Sequence, residues 1–424
     1  MNGTTGEVIA GAPVASTDGK ARMMVFRAFL AQNVAVGSAF GGFGVSVLSL
    51  QELHGASRGE TTLALSLSVL VMGLVSPFVA TLIARLGLRW TMTIGTLISG
   101  CGYGLLAIAP NMQVVLLLYA LPIGAGLSMF GPFPASVLAS NWFRHNPGLA
   151  LGVANMPLFV ALLPMVGLII IRDHGLPAFY LALAALHLTL LPLMVGVSDA
   201  TPDGGQQPEG SSSSDRGLMV SIRSVLTSPS FWVMSLFAGY LNAVGITGVS
   251  HLAAFAAERG VLAGQAAGLL SILGGAAIIG SIAVGILSNR LGAPTTLALI
   301  AAGMAISWLV LLSTLPFPVM ALAALTLGAC GAGIFPAVSM LSARLFDQQS
   351  LPRIIGLYSP VTLPLTFFLP PLAGVWRDAM GSYTPVVAIM IGGCVLVTMV
   401  FVAMARGRAH RAVPLAVAQP GPDG

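Results

Sequence analysis

Charged side chains are scarce in this sequence: only 7% of its 424 residues are Asp, Glu, Lys or Arg, whereas hydrophobic types make up 56%. A soluble globular protein carries about a quarter charged residues, because the surface of each folded domain must face water. The mean hydropathy of +0.93 points in the same direction. The shortage of charge therefore excludes a set of soluble domains and predicts an integral membrane protein surrounded by the lipid bilayer.

Cysteine is also rare, and the three residues Cys101, Cys330 and Cys394 lie far apart within apolar runs. That spacing excludes a disulfide framework and a CxxC metal site, so we predict no metal and no cofactor. A P-loop is missing too, and the glycine-rich stretches lie inside apolar runs, without the strand–turn–helix context of a dinucleotide site. Because paired His, Asp or Ser–His groups are also missing from the apolar runs, we predict that the protein is not an enzyme. Residues 1–22 lack the apolar segment of a cleavable signal peptide.

Twelve apolar runs are long enough to cross a bilayer, which takes about 20 residues per helix. These predicted spans 1 to 12 cover residues 24–50, 61–84, 89–109, 112–141, 147–171, 176–197, 230–257, 264–288, 293–315, 317–345, 352–376 and 382–405. A polar, serine-rich linker, residues 198–229, divides them into six plus six. The predicted fold class is an all-α membrane protein with 12 transmembrane helices in two six-helix bundles, 24–197 and 230–405, between tails 1–23 and 406–424.

The basic residues predict how these spans are oriented. An even number of spans places both termini on one side, and cytoplasmic termini put fourteen of the eighteen Lys and Arg residues inside. This distribution satisfies the positive-inside rule. The net charge of +5 is therefore explained by topology, and we predict no nucleic-acid partner.

Three short motifs recur in the two halves in the same order, each offset by just over 200 residues. The pairs are Gly124-Ala125-Gly126 with Gly331-Ala332-Gly333, Phe133-Pro134-Ala135 with Phe335-Pro336-Ala337, and Arg85-Leu86-Gly87 with Arg290-Leu291-Gly292. Each pair falls in or directly after equivalent spans of the two halves. The repeats indicate a parallel duplication of a six-helix unit.

Residues 24–405 resemble the major facilitator superfamily and, within it, the monocarboxylate and oxalate/formate porter branch. The branch-specific segments are 142–154 leading into span 5, 251–274 across spans 7 and 8, and 370–383 at the end of span 11, which reads PPLAGVWRDAMGSY. The resemblance implies the major facilitator fold and a transporter in a bacterial inner membrane, with both termini cytoplasmic. It also implies a cytoplasmic gate motif, which is matched here by Arg85, Gly87, Arg89 and Arg290.

The chain departs from this family pattern where charge is expected. Ala84 occupies the position of an aspartate that normally caps and pairs with neighbouring helices, which implies a weakened cytoplasmic latch. In span 8, Gly280 and Ser281 stand where relatives carry an arginine that binds the substrate carboxylate, and Gly44 stands near a lysine position of span 1. The anion-binding groups that the resemblance implies are therefore missing from this chain.

Ionisable groups inside a bilayer are costly, so those that occur are functional candidates. None of the thirteen acidic residues falls near the middle of a span, which leaves histidine as the candidate proton carrier. Tyr240, Thr247 and His251 share one face of span 7, whereas Asn242 lies on the opposite face. We predict that His251 mediates proton coupling; the alternative, that this polar stripe only hydrogen-bonds neighbouring helices, stays open. For His187 in span 6 we favour that second, structural role.

The predicted substrate-binding residues come from five spans. They are Asn33, Asn155, Tyr240, Thr247, His251, Ser281 and Tyr358. We predict a secondary active transporter of a small, monocarboxylate-like organic acid that works by alternating access, with proton coupling as an option. The alternative is a uniporter or exporter of a neutral or hydrophobic small molecule, because Ser281 replaces the arginine. The sequence identifies no protein partner.

Overall fold

The computed structural model describes residues 15–56, 58–143, 147–199, 222–313, 316–346 and 350–409. Within these ranges the chain forms helices joined by short connections, without any β-strand. The predicted all-α class is therefore confirmed. Most of both predicted tails and linker residues 200–221 lie outside the described residues.

Two helical runs, Arg58–Leu106 and Leu158–Val195, each contain one glycine with non-helical dihedral angles. Gly87 has φ 81° and ψ 169°, and Gly175 has φ 84° and ψ 168°. Glycine adopts positive φ without the strain that a Cβ would cause, so each run consists of two helices joined by a tight turn. Ten helices of the described chain are long and apolar enough to cross a membrane. Dividing the two runs gives twelve segments, which is consistent with the twelve predicted spans.

We label these segments α1 to α12. The first-half helices are α1 (Ala15–Val36, π-helical Gly37–Gly42, Phe43–His54), α2 (58–86), α3 (88–106), α4 (Met112–Leu118, π-helical Tyr119–Ile123, Gly124–Phe130, Pro132–Trp142), α5 (Pro147–Ala154 and 158–174) and α6 (176–195). The second-half helices are α7 (Pro229–Glu258), α8 (Ala263–Leu291), α9 (Ala293–Leu312), α10 (Phe317–Phe346), α11 (Leu351–Met380) and α12 (Thr384–Ala409), and a short helix, Ile222–Leu226, precedes α7.

The helix α5 is broken, although its sequence predicts a continuous span. The helical pattern stops after Ala154 and resumes at Leu158. Pro157 explains the interruption, because proline lacks a backbone N–H and its ring clashes with the preceding turn. Non-helical backbone inside a membrane protein is tolerated where protein buries it or where it lines a cavity. The break in α5 is therefore a place to search for a functional site.

The two halves pack together mainly along two helix pairs, α5 with α8 and α2 with α11, with smaller contacts of α5 with α10 and of α4 with α11. A Cβ added at Gly152 of α5 would clash with the carbonyl oxygen of Ser281 in α8, and one added at Gly356 of α11 would lie 2.7 Å from the Cβ of Ala80 in α2. These contacts lie toward the helix ends near the 198–229 linker, which we call the linker side. The opposite end is the far side.

On the far side, each half packs on itself. The segment Phe43–His54 of α1 packs on the α2–α3 and α5–α6 hairpins, and α7 packs on helices of the second half. The helices α1 and α7 are not among the pairs through which the halves pack together. From these contacts we infer that the described part of the chain is closed on the linker side and leaves a cleft between α1 and α7 on the far side.

Candidate functional site

The cleft is bordered by the face of α7 that its own half leaves uncovered. Gly239 packs against Thr362 of α11, and Gly248 packs against Leu327 of α10, so these helices cover the two flanks of α7. Outside these contacts, α7 leaves Ile246, Val249 and Ser250 exposed and Asn242 half-buried, and Val249 is 56% exposed. The uncovered surface of α7 therefore carries both apolar and polar side chains.

The predicted stripe of Tyr240, Thr247 and His251 lies on the other side of α7. The Tyr240 hydroxyl donates to the carbonyl oxygen of Met390 in α12 at 3.1 Å. Thr247 is buried and donates to the carbonyl oxygen of Ala243 within its own helix at 2.8 Å. The polar groups of this stripe thus have partners within the second half, whereas Asn242 is the amide on the uncovered face.

His251 belongs to a cluster at the far-side end of α7 that also contains the segment 370–383. Its Nε2 lies 2.9 Å from the carbonyl oxygen of Pro370, and its Nδ1 lies 3.0 Å from the hydroxyl of Tyr383. A carbonyl oxygen only accepts hydrogen bonds, so Nε2 is the nitrogen that carries hydrogen in the neutral ring.

Charged residues extend this cluster toward the far-side surface. A carboxylate oxygen of Glu258 accepts from the backbone N–H of Tyr383 at 3.0 Å, and the other lies 3.8 Å from Nε of Arg377. Arg259 donates to the hydroxyl of Thr384 at 3.1 Å. The segment 370–383, which carries a family signature, thus joins α7, α11 and α12 in one polar cluster.

A second polar cluster surrounds the break in α5. The side-chain nitrogen of Asn33 in α1 donates to the carbonyl oxygens of Phe29 and Met156, both at 2.9 Å. Its side-chain oxygen accepts from the backbone N–H of Phe159 at 2.9 Å. Asn33 therefore replaces hydrogen bonds that the broken helix cannot make for itself.

Two further amide side chains in this cluster have hydrogen-bond partners for the nitrogen but, among the described residues, none for the oxygen. The side-chain nitrogen of Asn155 donates to the hydroxyl of Ser136 and to the carbonyl oxygen of Leu151, both at 2.9 Å, and that of Gln32 lies 3.4 Å from the carbonyl oxygen of Asn155. The side-chain oxygens of Asn155 and Gln32 are buried and have no partner among the described residues. A buried acceptor left unpaired costs about 1–3 kcal/mol. Sequence reasoning missed Gln32, although a glutamine beside Asn33 in an apolar span was a usable signal.

Ser281 and Tyr358 are buried away from the open part of the cleft. The Ser281 hydroxyl donates to the carbonyl oxygen of Gly152 at 3.0 Å, which makes it part of the contact between α8 and α5. Tyr358 is 2% exposed, and its hydroxyl has no partner among the described residues. Of the predicted binding residues, the structure brings together Asn33, Asn155 and Ser281 around α5, and separates them from Tyr240, Thr247 and His251.

The turn between α2 and α3 binds a carboxylate from the start of the 198–229 linker. Asp199, which follows α6, accepts from the backbone N–H of Leu88 at 2.8 Å, and a Cβ added at Gly87 would collide with its carboxylate. Desolvation raises the pKa of Asp199, while hydrogen bonds from the backbone of Leu88 and Arg89 partly oppose the rise. The side chains of Arg85, Arg89 and Arg290 are exposed at the linker-side ends of their helices.

Residues 29–365 match the sequence profile of the Major Facilitator Superfamily, which is well over half of the chain. The chain belongs to the Major Facilitator Superfamily. Solved superfamily folds similar to it include the E. coli fucose:proton symporter FucP, with a TM-score of 0.69 and 17% identity over 92% of this chain and 99% of that one. A bacterial homologue of the iron transporter ferroportin, in an outward-facing state, has a TM-score of 0.67 and 15% identity over 91% of this chain and 99% of that one. The predicted major facilitator fold is thereby confirmed.

One part of the chain is similar to monocarboxylate transporters. Over 136 residues, 32% of this chain, it is 33% identical to mouse monocarboxylate transporter 14 and 32% identical to the human protein. The aligned segment spans 26% of the length of those relatives.

Membership of the superfamily makes this a multi-pass membrane protein and a transporter of a small-molecule solute. Within the described residues, no group of three or more His, Cys, Asp or Glu side chains could hold a metal ion. Arg144, His145 and Asn146, part of the segment leading into α5, lie outside the described residues.

Proposed function

We propose that this superfamily member is a secondary transporter that carries a small organic acid of the monocarboxylate type across a bacterial inner membrane. The observation that carries the proposal is the glycine contacts that close the inferred cleft between α1 and α7 on the linker side of the described chain. Opening this seal while the far side closes would expose the same cleft to the other side of the membrane, which is alternating access. The similarity to monocarboxylate transporter 14 supports the acid as substrate.

The orientation belongs to the same proposal. The linker side would be cytoplasmic, because most Lys and Arg residues lie in the tails, the linker and the loops at that end. The far-side cleft would then open toward the periplasm, and both termini would be cytoplasmic.

A neutral solute is a second candidate, which the charge distribution favours. Every Lys and Arg lies near an end of its predicted span or outside the spans, so the middle of the cleft offers no ion pair to a carboxylate. Ser281, at the position of the missing arginine, is fully buried in the seal between α5 and α8. Recognition would then rely on hydrogen bonds and apolar contact.

Uptake into proteoliposomes tests the proposal and separates the two candidates. The panel consists of labelled short-chain and aromatic monocarboxylates and their neutral amides, each compared with empty liposomes. We expect saturable, protein-dependent uptake of the acids. Saturable uptake of amides alone would establish the neutral-solute function, and no saturable uptake in either series would contradict the proposal.

A further inference from the structure

The two unpaired amide oxygens beside the break in α5 indicate in which form the solute binds. We propose that Gln32 and Asn155 bind the solute through a hydrogen bond that the solute donates, so that a carboxylic acid binds and crosses undissociated, with its proton. This inference rests on the proposed transport of an organic acid, and it adds a binding site and the protonation state of the substrate.

The orientation of both amides is fixed by their backbone partners. The Asn155 side chain contacts the carbonyl oxygen of Leu151 at 2.9 Å, and the Gln32 side chain contacts the carbonyl oxygen of Asn155 at 3.4 Å. Carbonyl oxygens cannot donate, so the amide nitrogens must point at them. The unpaired atoms are therefore oxygens, and flipping either amide would place two acceptors against each other.

Two buried oxygens without partners favour one class of ligand. Asn155 is 7% exposed and Gln32 is 4% exposed, and neither oxygen has a hydrogen-bond partner among the described residues. Buried polar groups in folded proteins are nearly always paired, so this site requires a donor. A carboxylate anion brings only acceptors, whereas an undissociated carboxyl group or an alcohol brings an O–H donor.

The site adjoins the contact that must change during transport. Asn155 follows Gly152 by three residues, and the carbonyl oxygen of Gly152 accepts from Ser281 across the interface between the halves. A solute that bonds to Asn155 therefore binds next to the seal between α5 and α8. This position allows occupancy of the site to influence whether the seal opens.

A proton that travels on the solute needs no carrier in the protein. None of the acidic residues lies near the middle of a span, and both nitrogens of His251 are engaged with Pro370 and Tyr383 in the other half. The carboxyl O–H bond stays intact throughout the crossing. It forms from the anion and a proton on one side and dissociates on the other, so one proton moves with each solute molecule.

The test measures initial uptake of labelled pyruvate, whose anion carries no O–H group, into proteoliposomes between pH 5 and pH 8, after subtraction of uptake by empty liposomes. We expect KM to be constant when expressed as undissociated acid, so that KM in total pyruvate rises about tenfold per pH unit. The His251→Gln variant should keep this dependence. A KM that is constant in pyruvate anion, or a pH dependence that disappears in His251→Gln, would overturn the inference while leaving acid transport in place.

Variants at the site provide a second measurement. Asn155→Leu and Gln32→Met remove the acceptors at similar size and should raise KM at least tenfold for pyruvate and for its neutral amide. Gln113→Met removes an exposed amide at the start of α4 and should leave KM unchanged. If both site variants fold with wild-type thermal stability and keep the wild-type KM, the assignment of these residues is wrong. Absence of saturable pyruvate uptake at every pH would instead contradict the proposed acid substrate.

Discussion

At the scale of single residues, Asp199 supplies the carboxylate that the loop after α2 lacks. Ala84 stands at the expected aspartate position, yet Asp199 binds the backbone N–H of Leu88 at the start of α3. Its neighbour Ser198 accepts from the indole nitrogen of Trp142 at the end of α4 at 2.9 Å. The chain directly after α6 therefore ties together the linker-side ends of α3 and α4.

We expect Asp199→Ala to lower stability by about 1 kcal/mol, because the start of α3 loses its capping acceptor. Asp199→Asn keeps an acceptor and should be close to wild type. Desolvation raises the pKa of Asp199 in the folded state, so the folded protein binds the proton more tightly than the unfolded chain does. The contribution of Asp199 to stability therefore falls as pH rises through the interval from its ordinary pKa up to the raised value.

Thermal unfolding of the detergent-purified protein between pH 4 and pH 7 measures this effect. The melting temperature of the wild-type protein should include a decrease as pH rises through this interval. The melting temperature of Asp199→Asn should not show this decrease. Parallel curves for the two proteins would show that Asp199 has no shifted pKa, and a melting temperature of Asp199→Ala equal to wild type would refute the capping role.

The sequence showed which polar residues lie in the spans, but it did not show what their side chains contact. The sequence identified a shared face for Tyr240, Thr247 and His251, but a helical face in a membrane can meet a cleft or a neighbouring helix, and periodicity does not distinguish the two. The structure places these groups against α11 and α12 or along their own helix. Gln32 and Asp199 escaped notice because their partners lie more than 100 residues away in the chain.

At the scale of helices, the ends of the spans were predictable and their interruptions were not. The repeated Arg-Leu-Gly motif marks the turns after α2 and α8, and its glycines both adopt positive φ, 81° at Gly87 and 85° at Gly292. A short turn of this kind can be predicted from a few neighbouring residues, because the turn itself requires glycine. The break in α5 depends on Asn33 of α1 satisfying the exposed backbone. Pro157 alone does not distinguish such a break from a simple kink.

The contact between α5 and α8 gives a prediction at this scale. We expect Gly152→Leu to open the linker side, because the added side chain would meet the backbone of Ser281 and Ile282. Overpacking of this kind costs about 1–3 kcal/mol, enough to change the balance between two conformations. The control is Gly275→Leu in α8, where an added Cβ would have no atom within 4 Å.

Distances between spin labels on the linker-side ends of α5 and α8 measure the effect of Gly152→Leu. The distribution should shift to longer distances in Gly152→Leu and stay unchanged in Gly275→Leu. A wild-type distribution in Gly152→Leu would mean that this glycine contact does not hold the halves together.

At the scale of the whole molecule, the two halves enclose a cleft with access from one side. This arrangement predicts which positions a water-soluble reagent can reach. Ser250 is exposed near the far-side end of α7, and Ser224 is exposed on the linker side, in the short helix Ile222–Leu226. Serine and cysteine have similar sizes, so the substitutions should disturb the structure little. Cys101, Cys330 and Cys394 can first be replaced by alanine, so that only the introduced cysteine reacts with the reagent.

In that background, we expect a membrane-impermeant maleimide added to intact spheroplasts to label Ser250→Cys and to leave Ser224→Cys unlabelled. Adding Gly152→Leu should lower labelling of Ser250→Cys, because opening the linker side favours closure of the far side in an alternating-access protein. Labelling of Ser224→Cys from outside would place the linker side outside the cell and refute the proposed orientation. Undiminished labelling of Ser250→Cys in the presence of Gly152→Leu, with the spin labels reporting separation, would mean that the two ends open independently, which is incompatible with alternating access.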